Sequence, residues 1–325
     1  MREITYVEAL REALREEMQR DERVIILGEE VGVFEGVYKV TQGLLKEFGP
    51  KRVIDTPISE IAIIGLAAGA ALGGLKPIAE IMYMDFLAIA ADQIVTHISK
   101  LRFMSGGQLK VPLVIRTQYS LGRVHGSQHS QFFPSWFLQS PGIKVVMPST
   151  PYDAKGLLKS SIRDENPILF IESGVLYRSK GEVPEQEYTI PLGKADIKKK
   201  GDDLTIVAFS RCVIEAMSAA KELEEKGISV EVIDPRTLVP LDIETIVSSV
   251  KKTGRLLVAS DDVKSGSIAN EVAMQVMEKA FDYLDAPIAR VTSPDLPVPF
   301  SPNLEKQYMV SKEEIINAIK ENFGI

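Results

Sequence analysis

The sequence has few of the residues that build disulfide frameworks, metal clusters or nucleic-acid surfaces. Its 325 residues include a single cysteine, Cys212, which excludes an intrachain disulfide framework and a multi-cysteine metal site. The formal net charge is -7 and the one basic cluster is residues 198–200, so nucleic acid is not expected as a partner. The longest apolar run, residues 61–75, is too short and too rich in glycine to predict a membrane span.

Two common catalytic motifs are also missing. Without a G-x-S-x-G elbow, the sequence gives little support to hydrolase chemistry. No G-x-G-x-x-G follows the first predicted strand, and the acidic residues in Gly28-Glu29-Glu30 would repel phosphates there. No signal peptide is recognised at the start of the sequence, and we expect a cytoplasmic protein.

Short apolar strands alternate with helices along the chain, and 45% of the residues are hydrophobic. This pattern predicts an α/β protein with two domains, each built on a mostly parallel sheet covered by helices. The first domain is predicted over residues 1–180 and the second, with about five strands, over 203–325. The polar residues 181–202 between them predict a linker, and four prolines between 294 and 302 predict a rigid extended connection to the last helix.

Individual helices and strands follow from the same pattern. The predicted helices cover residues 4–20, 38–48, 61–72, 86–104, 151–163, 211–226, 242–252, 267–280 and 311–322. The predicted strands cover residues 24–27, 52–55, 77–82, 111–116, 143–147, 168–171, 204–209, 229–233, 255–259 and 288–292.

The helix predicted over residues 61–72 is the most informative stretch. It carries no charge, so we expect it to be buried on every face. Ser59 precedes it and can cap free N–H groups of the first turn. Glycine recurs at every fourth position and clears a stripe that predicts close helix packing between subunits; these residues are Gly65, Gly69 and Gly73.

Glu60 is the one ionisable group at the start of this helix, and two interpretations are open. A carboxylate in a first turn interacts favourably with the helix dipole, by about 0.3–1 kcal/mol at an exposed end. Alternatively, the carboxylate is held in an apolar pocket, where it is positioned to exchange a proton with a ligand.

The three histidines have different contexts. His97 lies in a predicted helix and is interpreted as structural. His125 and His129 lie in a Gly/Ser-rich loop after a predicted strand, where parallel sheets place ligands. Zinc is disfavoured because no third histidine or cysteine stands nearby. We interpret His125 as a surface histidine and expect His129 to face a pocket.

Several long stretches together resemble the β subunit of the first component of 2-oxo acid dehydrogenase complexes. They are DTPISE at 55–60, QHSQ at 128–131, SPGIKVVMPSTPYDAKGLL at 140–158, GEEVGVFEGVYKVTQGL at 28–44 and DYLDAPIARVTSPDLPVPF at 282–300. This family includes the pyruvate, branched-chain 2-oxo acid and acetoin dehydrogenases. The resemblance implies a transketolase-like pyrimidine-binding domain followed by a transketolase C-terminal-like domain.

The resemblance also implies a cofactor and partners. Thiamine diphosphate would be shared with an α subunit, which would hold magnesium and the diphosphate. This chain would supply the pocket for the aminopyrimidine ring. The expected assembly is an α2β2 heterotetramer that passes its product to a lipoyl acyltransferase core, with the second domain contributing to acyltransferase docking.

Specific residues match functional positions of the family. Glu60 matches the glutamate that hydrogen-bonds the aminopyrimidine ring nitrogen and promotes its imino tautomer, and His129 matches the active-site histidine. Phe86 matches an aromatic residue packed against the aminopyrimidine, although a core phenylalanine is an alternative. Glu29 matches an acid in the polar tunnel between active sites, and a solvated acid is its alternative. The segment 65–69 matches a glycine-containing motif at subunit contacts.

A potassium ion is a further implication of the family resemblance. The matching positions are Leu113, Ser161, Ile162, Asp164 and Asn166, which would bind the ion mostly through backbone oxygens. An ordinary helix C-terminus over the same segment is the alternative. The chain departs from the family at residues 263–271, where a Gly- and Phe-rich stretch is common, and this departure bears on assembly contacts.

The expected activity is oxidative decarboxylation of a 2-oxo acid with transfer of the acyl group to a lipoyl group. Residues 176–178 and 181–184 resemble branched-chain members slightly better than pyruvate members. Two alternatives stay open at this point: the β subunit of an acetoin-cleaving enzyme, and an assembly subunit without catalysis. An intact Glu60 and His129 argue against the second alternative.

Overall fold

A computed structural model describes residues 1–324 and divides the chain into two compact units. The first unit comprises residues 1–120 and 136–192. The second begins again at residue 193 and also includes residues 121–135 from the first half of the sequence. The loop with His125 and His129 therefore folds with the second unit. None of the helices in residues 1–324 is both long and apolar enough to cross a membrane.

The first unit alternates strands and helices as the sequence predicts. Its strands are β1 (Arg2–Thr5), β2 (Val24–Gly28), β3 (Val53–Asp55), β4 (Lys76–Ile81), β5 (Val114–Tyr119), β6 (Lys144–Val146), β7 (Ile168–Ser173) and β8 (Lys180–Val183). Its α-helices are α1 (Tyr6–Arg20), α2 (Leu44–Phe48), α3 (Glu60–Leu72), α4 (Ser99–Met104) and α5 (Pro151–Arg163). A π-helix covers Asp92–Ile98, and 3-10 turns cover Met84–Ala88 and Gly174–Arg178.

The sheet of the first unit runs in the order β6-β7-β5-β4-β2-β3, and all of these pairings are parallel. The prediction of a parallel sheet is confirmed. In the register, Gly28 at the end of β2 lies opposite Asp55 on β3 and Glu80 on β4. The residues that follow β2, β3 and β4 therefore emerge side by side, at the edge where parallel sheets place ligands.

Helix α1 packs against α5 through buried ion pairs as well as apolar side chains. Lys155 and Lys159 are almost fully buried, and both ammonium groups contact the carboxylate of Glu16 at 2.6 and 2.7 Å. One turn further along, Arg163 contacts the buried Glu17. A Thr5–Glu8 capping box fixes the start of α1. The helix begins at Tyr6 and not at residue 4 as predicted.

Two predicted helices of the first unit are shorter in the structure. The helix predicted over 38–48 is reduced to α2, because Lys39 and Gly43 have φ of 62° and 81°, outside the right-handed helical region. The helix predicted over 86–104 is divided into a 3-10 turn, a π-helix and α4. At the junction, the Ser99 hydroxyl donates to the Val95 carbonyl at 2.8 Å, a local bond that competes with regular helix geometry.

Helix α3 confirms the predicted helix, but the prediction that every face is buried is wrong within this chain. Ile63 and Ala67 pack inward, whereas Ile61, Leu66 and Leu72 on the other side are 49%, 61% and 43% exposed. The physical reason is that the parallel sheet covers only one side of the helix. Ser59 is the N-cap residue, and no side-chain capping bond forms there.

The second unit is also α/β. Its strands are β9 (Asp196–Lys199), β10 (Leu204–Ala208), β11 (Val230–Asp234), β12 (Thr237–Val239), β13 (Leu256–Val263) and β14 (Ala289–Ser293). Its helices are α6 (Cys212–Glu224), α7 (Ile243–Thr253), α8 (Ile268–Ala280), α9 (Pro302–Tyr308) and α10 (Lys312–Phe323), with a 3-10 turn over Phe281–Tyr283. The five-stranded sheet has the order β14-β13-β10-β11-β9, and only the edge strand β9 is antiparallel.

Two connections contain more structure than their composition predicts. Parts of the predicted linker, residues 181–202, belong to strands: β8 pairs with β1, and β9 pairs with β11. The proline-rich connection does not lead directly to the last helix, because α9 begins at Pro302. Proline at the first helical position is compatible with a helix start, and this is the reason for the difference.

Candidate active site

Three of the predicted site residues follow three neighbouring strands of the first unit. Glu29 comes directly after β2, Glu60 begins α3 after β3, and Phe86 lies in the 3-10 turn after β4. Since these strands are adjacent and parallel in the order β4-β2-β3, the structure brings the three residues to one edge of the sheet. The family resemblance identified these residues one at a time. The strand order explains why they lie at the same edge of the sheet.

The main chain fixes the separation between Glu29 and Glu60. The N–H of Thr56 donates to the carbonyl of Gly28 at 3.0 Å, which extends the β2–β3 pairing past the strand ends. Asp55 then accepts hydrogen bonds from the N–H groups of Gly32 and Val33. The turn that precedes Glu60 thus holds the loop that follows Glu29. Asp55 was not predicted as a site residue, although it lies inside the DTPISE motif.

The two carboxyl groups interact electrostatically. Burial raises the pKa of the Glu29 carboxyl first, and the negative charges of Glu60 and Glu30 raise it further. Glu60 itself is half-buried at the N-terminus of α3, where the helix dipole favours a negative charge. The negative charge of Glu60 therefore favours the protonated form of the Glu29 carboxyl.

Aromatic side chains line the neighbouring strand end. The ring of Phe86 makes an edge contact with Tyr83 at a centroid distance of 5.5 Å. The Tyr83 hydroxyl accepts a 2.8 Å hydrogen bond from Tyr38, and Gln118 at the end of β5 donates to the Tyr38 hydroxyl. Phe86 is half-buried, so its ring belongs to an aromatic surface and not to the deepest core.

A buried ionic cluster joins strands β4, β5 and β7 of the same sheet. Arg116 on β5 donates to Glu172 at 2.8 and 2.9 Å and to Glu80 at 2.7 Å, and Tyr177 also donates to Glu172. Burial lowers the pKa of Arg116, but the charges of Glu172 and Glu80 outweigh it and hold the pKa above the ordinary value. Sequence reasoning missed this cluster. The signal was an ionisable residue inside each of three largely apolar strands: Glu80, Arg116 and Glu172.

The histidines belong to other segments of the chain. His125 and His129 belong to the loop of the second unit, and both are half-buried. Burial lowers the pKa of His125, as do the nearby Arg123 and His129. His97 is exposed in the π-helix of the first unit, 3.4 Å from Asp92. No group of three or more His, Cys, Asp or Glu side chains in residues 1–324 is arranged to hold a metal ion.

The residues matched to a potassium site lie at the end of α5 and at the start of β5. The N–H of Asp164 donates to the Ser161 carbonyl, and the N–H of Ile168 donates to the Leu113 carbonyl. The Asp164 carboxylate accepts from Asn166 and from the Lys144 ammonium at 2.5 Å. A cationic side chain therefore already stands at one of the expected oxygen donors, and the potassium site, including Ile162, stays a prediction.

These side chains match part of a thiamine site. Two adjacent carboxyl groups and an aromatic ring can hold a protonatable nitrogen heterocycle, and carboxylates are unsuited to a diphosphate. The first unit therefore fits the ring end of the cofactor, and the division of the site between two chains stays a prediction.

Comparison with known proteins decides the family. A transketolase pyrimidine-binding domain matches residues 2–180, and a transketolase C-terminal domain matches residues 193–315. The 2-oxoisovalerate dehydrogenase subunit beta of Bacillus subtilis (strain 168) is 47% identical over 321 residues, which cover 98% of each chain. The chain belongs to the β subunits of the thiamine-dependent 2-oxo acid dehydrogenase family. The resemblance read from its motifs is confirmed.

Other relatives of this β subunit carry different substrate names. The pyruvate dehydrogenase E1 component subunit beta of Rhizobium meliloti (strain 1021) is 47% identical over 98% of this chain and 70% of its own length. The acetoin:2,6-dichlorophenolindophenol oxidoreductase subunit beta of Bacillus subtilis (strain 168) is 46% identical over 99% and 98%. A structure titled "Split gene transketolase, inactive beta4 tetramer" has a TM-score of 0.83 at 23% identity, covers 99% of both chains, and confirms the two-domain fold.

Proposed function

We propose that this β subunit works with an α subunit in the first component of a 2-oxo acid dehydrogenase complex. The pair would decarboxylate a 2-oxo acid oxidatively and transfer the acyl group to a lipoyl group on an acyltransferase. The observation that carries this proposal is the placement of Glu60 beside Glu29 and Phe86 at the carboxyl edge of one parallel sheet.

Each residue has a defined task in this proposal. Thiamine diphosphate, when bound, supplies the nucleophilic carbon and the electron sink for decarboxylation. Glu60 holds a proton at the ring nitrogen of the aminopyrimidine, which is general acid–base work suited to a half-buried carboxyl. Phe86 would pack against the ring. Glu29, whose raised pKa favours the protonated form, limits charge repulsion beside Glu60. His129 acts on the substrate or on acyl transfer.

The α subunit would supply what this chain lacks, namely the groups that hold magnesium and the diphosphate. Its presence is supported by the exposed apolar side of α3, formed by Ile61, Leu66 and Leu72. Gly65 and Gly69 lie on the same helix, where the lack of side chains permits close approach of another backbone. An α2β2 heterotetramer bound to a lipoyl acyltransferase core is the assembly that we propose.

A branched-chain 2-oxo acid is the substrate that we favour slightly over pyruvate, on the residues at 176–178 and 181–184. An acetoin-cleaving enzyme is the second candidate, because a relative named for that activity is 46% identical over 99% of this chain. Both would use the same residues in the first unit. The two candidate functions therefore differ only in the substrate that the enzyme prefers.

The test is co-expression of this chain with an α-type subunit, followed by assays with thiamine diphosphate, magnesium and a panel of substrates. The panel contains branched 2-oxo acids, pyruvate and acetoin, with lipoylated acyltransferase or an artificial electron acceptor. We expect turnover only when both chains are present and highest with a branched 2-oxo acid. Turnover by the β chain alone would contradict the shared site, and a preference for acetoin would support the second candidate.

A further inference from the structure

The loop that carries His125 and His129 has an unusual backbone. Gly122, Val124 and Gly126 have φ of 91°, 61° and 76°, so three alternate residues adopt the left-handed region. For Val124 this is a strained conformation, because a β-branched side chain disfavours positive φ. Such a loop keeps its shape only where surrounding groups fix it. His125 lies between two of these positions, and His129 follows shortly after them.

Glu305 on α9 is the main group that fixes this loop. Its side chain is buried, with 2% of the residue exposed. One carboxylate oxygen accepts the N–H of Gly122 at 3.0 Å, and the other accepts the N–H of Val124 at 2.8 Å. The two bonds enclose Arg123 and hold the strained Val124. Hydrogen bonds to a buried carboxylate are stronger than those between neutral groups.

Two further contacts come from the same C-terminal segment. The Ser127 hydroxyl donates to the carbonyl of Val298 at 2.6 Å. The ring of Phe300 lies so close to Gly126 that a Cβ added there would come within 3.1 Å of it. Residues 298–305 therefore hold both the start and the middle of the loop. All of these groups belong to the second unit.

Electrostatics link the Glu305 carboxylate to the histidines. Burial lowers the pKa of His125, the positive charges of Arg123 and His129 lower it further, and Glu305 acts in the opposite direction. The carboxylate thus provides two backbone hydrogen bonds and partly compensates a cluster of three basic side chains. A cluster of this kind suits an anionic substrate such as a 2-oxo acid.

We propose that Glu305 is a positioning residue for His129: it fixes the fold of residues 122–129 and thereby the place of the His129 ring, which meets the substrate carboxylate. The task of His129 rests on the proposed function, whereas the effect of Glu305 on the loop does not. Glu305→Gln keeps the shape of the side chain, but its amide nitrogen cannot accept one of the two backbone N–H groups.

The experiment uses the full chain labelled at the histidine Cε1 carbon, together with backbone hydrogen exchange. Because the chain has three histidines, the spectrum contains three such resonances, and His97 in the first unit serves as an internal reference. In Glu305→Gln we expect exchange over residues 122–129 to rise about tenfold or more. The resonances of His125 and His129 should shift, while that of His97 should stay in place.

Asp295→Asn is the matched control. Asp295 lies in the same proline-rich segment and also accepts a backbone N–H, from Ser265, at 2.8 Å, but it does not touch the histidine loop. This variant should leave the three resonances unchanged. Should Glu305→Gln fail to fold, Ser127→Ala provides an independent test, since it removes one bond to the same loop. In Ser127→Ala, the backbone hydrogen exchange over residues 122–129 should rise severalfold.

In the assembled enzyme, Glu305→Gln should lower kcat/KM about tenfold or more with normal assembly. Unchanged exchange and unchanged histidine resonances in Glu305→Gln, or equal changes in Asp295→Asn, would overturn the proposal. If the loop loosens in Glu305→Gln but the original assembled enzyme turns over no 2-oxo acid, the positioning role is sustained and the proposed function is contradicted. If the loop stays protected in Glu305→Gln and the original enzyme turns over a 2-oxo acid, the proposed function is sustained and the positioning role is contradicted.

Discussion

The carboxylate of Asp55 lies 2.5 Å from the backbone nitrogen of Gly32, and its second oxygen lies 2.9 Å from that of Val33. A Cβ added at Gly32 would come within 2.8 Å of the same carboxylate, so glycine is required by the close approach. This contact joins the loop after Glu29 to the turn before Glu60. The relative position of the two acidic groups depends on it.

Asp55→Asn should loosen the loop after β2. The substituted amide can accept only one of the two N–H groups, and we expect the free energy of unfolding to fall by about 1 kcal/mol. Hydrogen exchange over residues 31–36 should increase several times. Gly32→Ala should produce the same change by pushing Asp55 away. Normal exchange in both variants would show that Asp55 does not hold this loop.

The motif around Asp55 was readable from sequence, but this contact was not. A turn at residues 56–59 followed by an uncharged helix predicted where the helix starts. It also singled out Glu60 as a candidate site residue. The bond from Asp55 to Gly32 joins residues far apart in the chain, and no local pattern encodes it. It follows only once β2 and β3 are known to be neighbours in the sheet.

Gly69→Leu should separate folding of this chain from its assembly. An added Cβ at Gly69 would meet no atom of residues 1–324 within 4 Å beyond its own stretch of helix, and leucine is a good helix former. The variant chain should therefore be at least as stable as the original to thermal unfolding. Co-purification with the α-type subunit should be lost, as measured by light scattering after size exclusion. A normal heterotetramer would contradict packing along this stripe.

Two carboxylates on one guanidinium provide a matched pair of stability tests. Arg163 contacts Glu17, which is fully buried, and Glu187, whose side chain is 62% exposed. Glu17→Gln should lower the free energy of unfolding by about 2 kcal/mol, because a neutral amide replaces the buried carboxylate that accepts hydrogen bonds from Arg163 and Arg20. Glu187→Gln should change it by less than about 1 kcal/mol. Denaturant titration compares them, and equal effects would exclude a special role for the buried pair.

Asp262 should give the stability an unusual pH dependence. Burial, the largest cause, raises its pKa to about 6 despite hydrogen bonds from Ser267 and the Ile268 N–H. A raised pKa means that the folded state holds this proton more tightly, so its contribution is complete below about pH 4 and is lost as pH rises through about 6.

Asp262→Asn tests this assignment, because its amide can donate to Ser267 while its oxygen accepts from Ile268. The original chain should lose about 3 kcal/mol from this group between pH 4 and pH 7, and the variant should not. Thermal unfolding across that range measures the difference. Parallel pH curves for the two proteins would rule out the buried acid as the cause.

Sequence periodicity located the elements of both units better than their ends. Apolar runs placed the parallel strands because burial on both sides leaves a continuous signal. The helix predicted over 86–104 failed because apolar spacing does not distinguish an α-helix from a π-helix, which Asp92–Ile98 adopts. The loop of His129 was placed by chain order after β5, yet it folds with the second unit through Glu305, a contact over more than a hundred residues.

We propose Glu60 as the acid–base group of a site shared with an α subunit. The most direct measurement is the turnover of Glu60→Gln in the assembled enzyme, with Glu30→Gln, an exposed neighbouring acid, as the control. We predict a loss of at least about 100-fold for Glu60→Gln with normal assembly, and nearly full activity for Glu30→Gln. Turnover by Glu60→Gln at the original rate would contradict it.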